Sequence, residues 1–218
     1  MAITTYAELK TAIENYYARS DSTFTARIDE FIDLAEDRIH YGDDGPLPSE
    51  PLRLVGMETT GDLTVSSQTV AQPTGFLAAR RLYLNTDPKV DLEYMAPDRF
   101  WSASANTSGT SGEPKIFTIE GTNFVFGPSP DTSYTGKLAY WKKLDALSDS
   151  ATTNWLITNS PGTYLYACLL EAAIWDKSFE DAAKYMAAYA GRVNALMGQD
   201  RKHRFPGTPL AARVDWVR

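Results

Sequence analysis

Apolar residues recur with a helical period at both ends of the chain and with a shorter, strand-like spacing between them. Thr5 and Glu8 have the spacing of a capping box, in which the hydroxyl accepts a backbone N–H and the carboxylate reaches back. Behind them Tyr6, Leu9, Ile13 and Tyr16 fall on one helix face. After a turn at 19–23, Phe24, Ile28, Phe31, Ile32, Ala35 and Ile39 predict one second helix, ended by Gly42. Its opposite face carries Asp29, Glu30, Asp33, Glu36 and Asp37, a solvated acidic stripe. A short turn between the two helices predicts an antiparallel hairpin over residues 1–42.

The period then changes. Residues 43–51 are rich in Gly and Pro and predict a loop. The runs 63–65, 69–71, 79–84, 90–94, 116–119, 124–126 and 137–142 predict strands, with a helical turn at 97–101 and a Gly/Ser/Thr loop at 106–112. Together they predict a mostly antiparallel sheet of about five to seven strands within 52–143. The helical period returns over 160–199. Between Tyr164 and Trp175 the only charged residue is Glu171, so that helix needs cover on more than one side, from its own fold or from another subunit. Tyr164, Leu165, Cys168, Leu169 and Trp175 are its candidate subunit-interface residues. Ser178 is placed to cap a last helix with the stripe Ala182, Tyr185, Met186, Tyr189, Val193, Leu196 and Met197, closed by Gly198. Pro206 and Pro209 then predict an extended tail over 200–218.

Each helix pair has one apolar stripe and nothing local to bury it against. The predicted fold is therefore α+β: an antiparallel four-helix bundle formed by the N- and C-terminal pairs, with an inserted mostly antiparallel sheet and an extended C-terminal tail.

Net charge is −7, from 21 Lys and Arg against 28 Asp and Glu, which argues against general adhesion to duplex nucleic acid. The distribution is uneven. Residues 200–218 hold five basic residues and two acidic ones, a local +3 that leaves −10 elsewhere. Arg201, Lys202, His203, Arg204 and Arg213, with Phe205, Leu210, Val214, Trp216 and the terminal Arg218, combine cations with apolar anchors, the residue types enriched at interfaces. A single cysteine, Cys168, allows no internal disulfide. The opening residues lack the basic and apolar regions of a signal peptide, and no apolar run reaches the ~20 residues of a membrane helix, so synthesis in the cytoplasm is expected.

No catalytic constellation stands out, and no cofactor or metal is expected. Tyr41-Gly42-Asp43-Asp44 matches the metal-binding hairpin of RNA-dependent polymerases as a string, but it ends a helix and has too little chain before it. Cys168 lies among Leu165, Leu169 and Ala172 as a core thiol would. His40, His203 and one cysteine lack the spacing of a structural zinc site. Residues 108–112 lack the Gly-Lys ending of a phosphate loop. Tyr94, Trp101 and Trp141 could form a sugar platform on the sheet, which keeps open a glycan-binding or glycan-cleaving tail protein.

Three strings resemble the head-to-tail adaptor, or connector, proteins of tailed bacteriophages, of the tail-tubular-protein-A-like group. They are Ile3-Thr4-Thr5-Tyr6-Ala7-Glu8-Leu9-Lys10, the stretch from Arg27 to Ile39, and the stretch from Tyr164 to Ala173. The resemblance implies a structural, non-enzymatic virion protein of the neck. It would form a ring, commonly of twelve copies, between the portal protein and the tail tube or nozzle. Double-stranded DNA would pass through without specific binding during ejection, and the C-terminal tail would grip the portal. Members of that group are often monomers until they assemble. The acidic second helix departs from the more basic one usual there. Another neck or baseplate ring protein is the nearest alternative role.

Overall fold

The computed structural model describes residues 2–105 and 110–204. In chain order the elements are α1 (Tyr6–Tyr17), α2 (Ser22–Thr25), α3 (Ile28–Tyr41), β1 (Glu58–Val65), β2 (Thr69–Ala71), β3 (Phe76–Leu84), β4 (Val90–Asp91) and β5 (Glu93–Tyr94). They continue with α4 (Pro97–Ala105), β6 (Ile116–Glu120), β7 (Asn123–Gly127), β8 (Tyr134–Lys142), α5 (Trp155–Asn159), α6 (Pro161–Trp175) and α7 (Phe179–Arg204). The class is α+β. The chain divides into a helical unit, Met1–Val55 with Asp145–Arg218, and a β unit, Gly56–Leu144.

In the helical unit the capping box at the start of α1 is formed. The Glu8 N–H donates to the Thr5 hydroxyl at 3.4 Å, and the Thr5 N–H donates to the Glu8 carboxylate at 3.1 Å. Tyr6, Leu9, Ala12 and Ile13 are buried, but Tyr16 is 60% exposed. Its neighbour Tyr17 turns inward instead, stacking on Phe24 with ring centroids 5.1 Å apart and donating to Asp176.

The predicted second helix is two helices. Asp21 accepts the Phe24 N–H and caps the short α2, and the chain re-forms as α3 after Arg27. The apolar stripe survives the break, because Phe24, Ile28, Phe31, Ile32, Ala35 and Ile39 are all buried. Gly42 ends α3 with φ +76°, its N–H donating to the Arg38 carbonyl at 2.9 Å. A side chain there would collide with the Ser49 carbonyl, so the turn demands glycine.

The nearly all-apolar α6 is the hub of this unit and packs against α1, α3, α5 and α7. The short α5 has no apolar period to reveal it; Asn154 caps it by accepting the Leu156 and Ile157 N–H groups. Gly198 does not close α7, which runs on to Arg204. A mid-helix glycine costs only about 1 kcal/mol relative to alanine. Asp200 offsets it by accepting from the Arg204 guanidinium and from the Val55 N–H at 2.7 Å. Residues 200–204 are thus helical rather than extended, and 205–218 lie outside the described residues.

The β unit contains two four-stranded sheets, ordered β1-β8-β3-β4 and β2-β7-β6-β5, in place of one. All pairings are antiparallel except β5 with β6. Alternating residues of β8, Leu138 and Tyr140, face the same core as Leu63, Val65, Leu82 and Leu84 from their own sheet and Phe117, Phe124 and Phe126 from the other. β4 and β5 are only two residues each, so the side of the sandwich where they lie is short of strand.

Candidate assembly surfaces

The residues expected to meet a neighbouring subunit on α6 are turned inward. Tyr164, Leu165, Cys168 and Leu169 are at most 3% exposed within the chain itself, which leaves them nothing to offer another copy. α6 is covered on several sides, and α1, α3, α5 and α7 of the same helical unit supply that cover. Trp175, at 38% exposure, is the exception. It packs edge-on to Phe24 and against Phe31, with the Arg19 guanidinium over its ring.

Polar groups fasten α3 to this hub. Glu36, expected in the solvated acidic stripe, is only 7% exposed. It accepts from the Leu147 N–H at 2.9 Å and from the Tyr164 hydroxyl at 2.8 Å, and Tyr164 in turn accepts from the Asn154 amide. Burial raises the Glu36 carboxyl above the ordinary value in spite of these two bonds. Burial and the nearby Glu36 raise the Tyr164 hydroxyl. Two residues on, the buried Arg38 guanidinium bonds the Glu171 carboxylate at 2.5 Å, Asp43 at 2.9 Å and the Leu47 carbonyl at 3.1 Å. Glu171, the one charge on α6, is therefore the acceptor that holds α3. Spacing along α3 put Glu36 among exposed acids. What drew it inside was a backbone donor more than a hundred residues away.

The rest of the acidic stripe is on the surface. Asp29 is held below the usual carboxylate value: burial opposes this, but hydrogen bonds from Lys10 and Tyr6 prevail. Glu30 pairs with Arg27, while Asp33 and Asp37 are exposed. Of the basic end, Arg201, Lys202 and His203 are exposed on the last turns of α7, beyond Val193, its last buried residue. Arg204 is bonded to Asp200. Phe205, Leu210, Arg213, Val214, Trp216 and Arg218 lie outside the described residues.

Candidate chemistry finds no support in the geometry. Cys168 is fully enclosed, and burial pushes its thiol well up, away from the thiolate that nucleophilic catalysis uses. Asp43 is taken up by Arg38 and by the Gly45 N–H, an arrangement that stabilises a turn rather than a metal. Among the described residues no cluster of His, Cys, Asp and Glu could hold a metal ion, and no helix is long and apolar enough to cross a membrane. The three aromatics considered for a sugar platform are engaged separately. Tyr94 meets Phe117, Trp101 meets Phe100 and the Glu120 carboxylate, and Trp141 lies under Arg80.

A cavity of about 780 Å³ opens on the strand-poor side of the sandwich. Phe76 and Leu82 of β3, Leu92, Tyr94, and Phe117 and Ile119 of β6 line it. Sequence reasoning missed this slot because it arises from where β4 and β5 stop. The only trace was the uncharged run Phe76-Leu77-Ala78-Ala79.

The family model described as SU10 adaptor protein matches residues 4–213. The chain belongs to this family. No curated protein matches the chain. The match spans both units, so the adaptor identity applies to the helical and β parts alike. Membership makes the chain an adaptor-type phage protein, a structural component of the virion of a generally non-enzymatic kind. It also bears out the coarse resemblance to phage adaptors, without extending to the tail-tubular-protein-A-like group.

Proposed function

We propose that this adaptor assembles into a ring between the portal protein and the tail tube or nozzle, leaving a channel through which DNA passes. Membership of the adaptor family over nearly the whole chain carries this reading. Two physical features support it. The overall charge of −7 disfavours retention of a sliding polyanion. The exposed cations Arg201 and Lys202, with His203 beside them, project beyond the last buried position of α7, where they can meet an acidic surface without disturbing the core. Docking of the basic end on the portal, repeated by symmetry, lets weak single contacts add up.

The decisive experiment mixes the protein with its cognate portal and images the product. A stacked annulus is expected. Arg201→Glu with Lys202→Glu should weaken docking at least tenfold while leaving the thermal transition unchanged. A portal that recruits no ring from the wild-type chain removes the reading.

A further inference from the structure

The slot in the β unit is bordered by backbone as well as side chains. Among the described residues, β3 pairs with β8 on one side only between Phe76 and Arg81, because β4 reaches Tyr83 and Leu84 and the Leu92 N–H reaches no further than the Leu82 carbonyl. Across the slot, β5 covers Ile116 and Phe117 of β6 and stops. A long edge strand is a template for another chain, and proteins commonly blunt such edges with Lys, Pro or inward charge. Two bulges bend β3, but Phe76-Leu77-Ala78-Ala79 carries no charge and no proline. The two arginines that follow are already neutralised, Arg80 by Glu58 and Arg81 by a two-bond pair with Asp91 at 2.8 and 3.0 Å. A sugar would find few free polar partners here. An extended apolar peptide would find a bare strand edge above a greasy slot.

The chain itself contains such a peptide. Leu210, Ala212, Val214 and Trp216 alternate with Ala211, Arg213, Asp215 and Val217, placing four apolar residues on one face at the strand period. At about 3.3 Å per residue, 210–216 would span about 23 Å, against about 20 Å for the open stretch 76–81. The fourteen residues after Arg204 can extend up to about 50 Å, enough to reach an adjacent molecule.

We infer that the slot beside β3 receives residues 210–216 of a second copy, which add a strand to the open edge and link neighbours head to tail. This rests on the ring reading and divides the basic end in two. Arg201, Lys202 and His203 serve the portal, and the alternating segment serves the next copy. Each chain gives one strand and accepts one, a heterologous contact that closes when the rotation per copy closes.

The test uses a dye-labelled peptide of residues 205–218. The receptor is the full chain carrying Val214→Asp and Trp216→Asp, so that its own segment does not compete. Saturable binding is expected, at least tenfold weaker for a peptide carrying the same two substitutions, with slowed amide exchange at Leu77–Arg81. Leu77→Asp in the receptor should abolish it, and the exchange measurement on unaltered β3 locates the contact independently. No binding at millimolar peptide, or protection confined to the helical unit, overturns the inference. So does a dilute, monomeric wild-type chain whose slot refuses the peptide, because its segment then folds back on its own molecule. If the peptide fails while the wild-type chain still forms an annulus on the portal, strand addition falls and the ring reading stands. If β3 is protected but no annulus ever forms, the ring reading falls and strand addition stands as a contact between copies.

Discussion

The helical unit and the β unit solve the same problem, covering apolar surface, to different degrees of completion. α6 is the most uniformly apolar of the described helices, and α1, α3, α5 and α7 bury most of its surface. Among its described residues the β unit keeps an open side, where β4 and β5 have only two residues each. Apolar surface is left over where the topology runs short of strand, not where hydropathy peaks. The helical unit is also fastened by buried polar groups that allow one arrangement. The β core cluster is almost wholly apolar, with Tyr140 its one polar-tipped member.

This contrast can be broken from its strong side first. Arg38→Met leaves Glu171 buried without its cation and should cost about 3–5 kcal/mol in urea unfolding. A loss below about 1 kcal/mol would mean the hub does not depend on that pair. Tyr164→Phe removes the donor to Glu36 and an acceptor for Asn154, with an expected loss of about 1–3 kcal/mol by the same measurement.

Glu36→Gln sharpens the picture through pH. The folded carboxyl lies above its unfolded value, so its favourable contribution is complete below the unfolded value and is lost as pH rises through the folded one. The Gln variant keeps the acceptor oxygen. Its thermal midpoint should gain on the wild type as pH is raised from the ordinary carboxylate range to neutrality. Parallel curves would place Glu36 in water. On the weak side, Leu77→Asp at the open edge should change stability by less than about 1 kcal/mol, because it alters a strand edge with which no described strand pairs.

The sequence announced most of this architecture. The capping box of α1, the stripe from Phe24 to Ile39, the Gly42 stop and most of the strands were legible because they depend on local chemistry and period. Three features were not. Division into two sheets depends on which strands pair, which short runs do not encode. The reversal of Glu36 from surface acid to buried acceptor depends on Leu147, remote in sequence. The continuation of α7 past Gly198 depends on the Asp200 bond to Val55. The candidate slot was the least legible, because it is defined by strand that is missing.

The position of α6 downstream of the inserted sheets has a consequence during synthesis. A nascent chain leaving the ribosome presents α1 and α3 long before Trp175 emerges, so Phe31, Ile32, Ala35 and Ile39 must wait uncovered while the intervening β segment is already available to fold. A product released early, after Leu144, would pair a foldable sandwich with a sticky helical stump. The host's chaperones would meet that stump first.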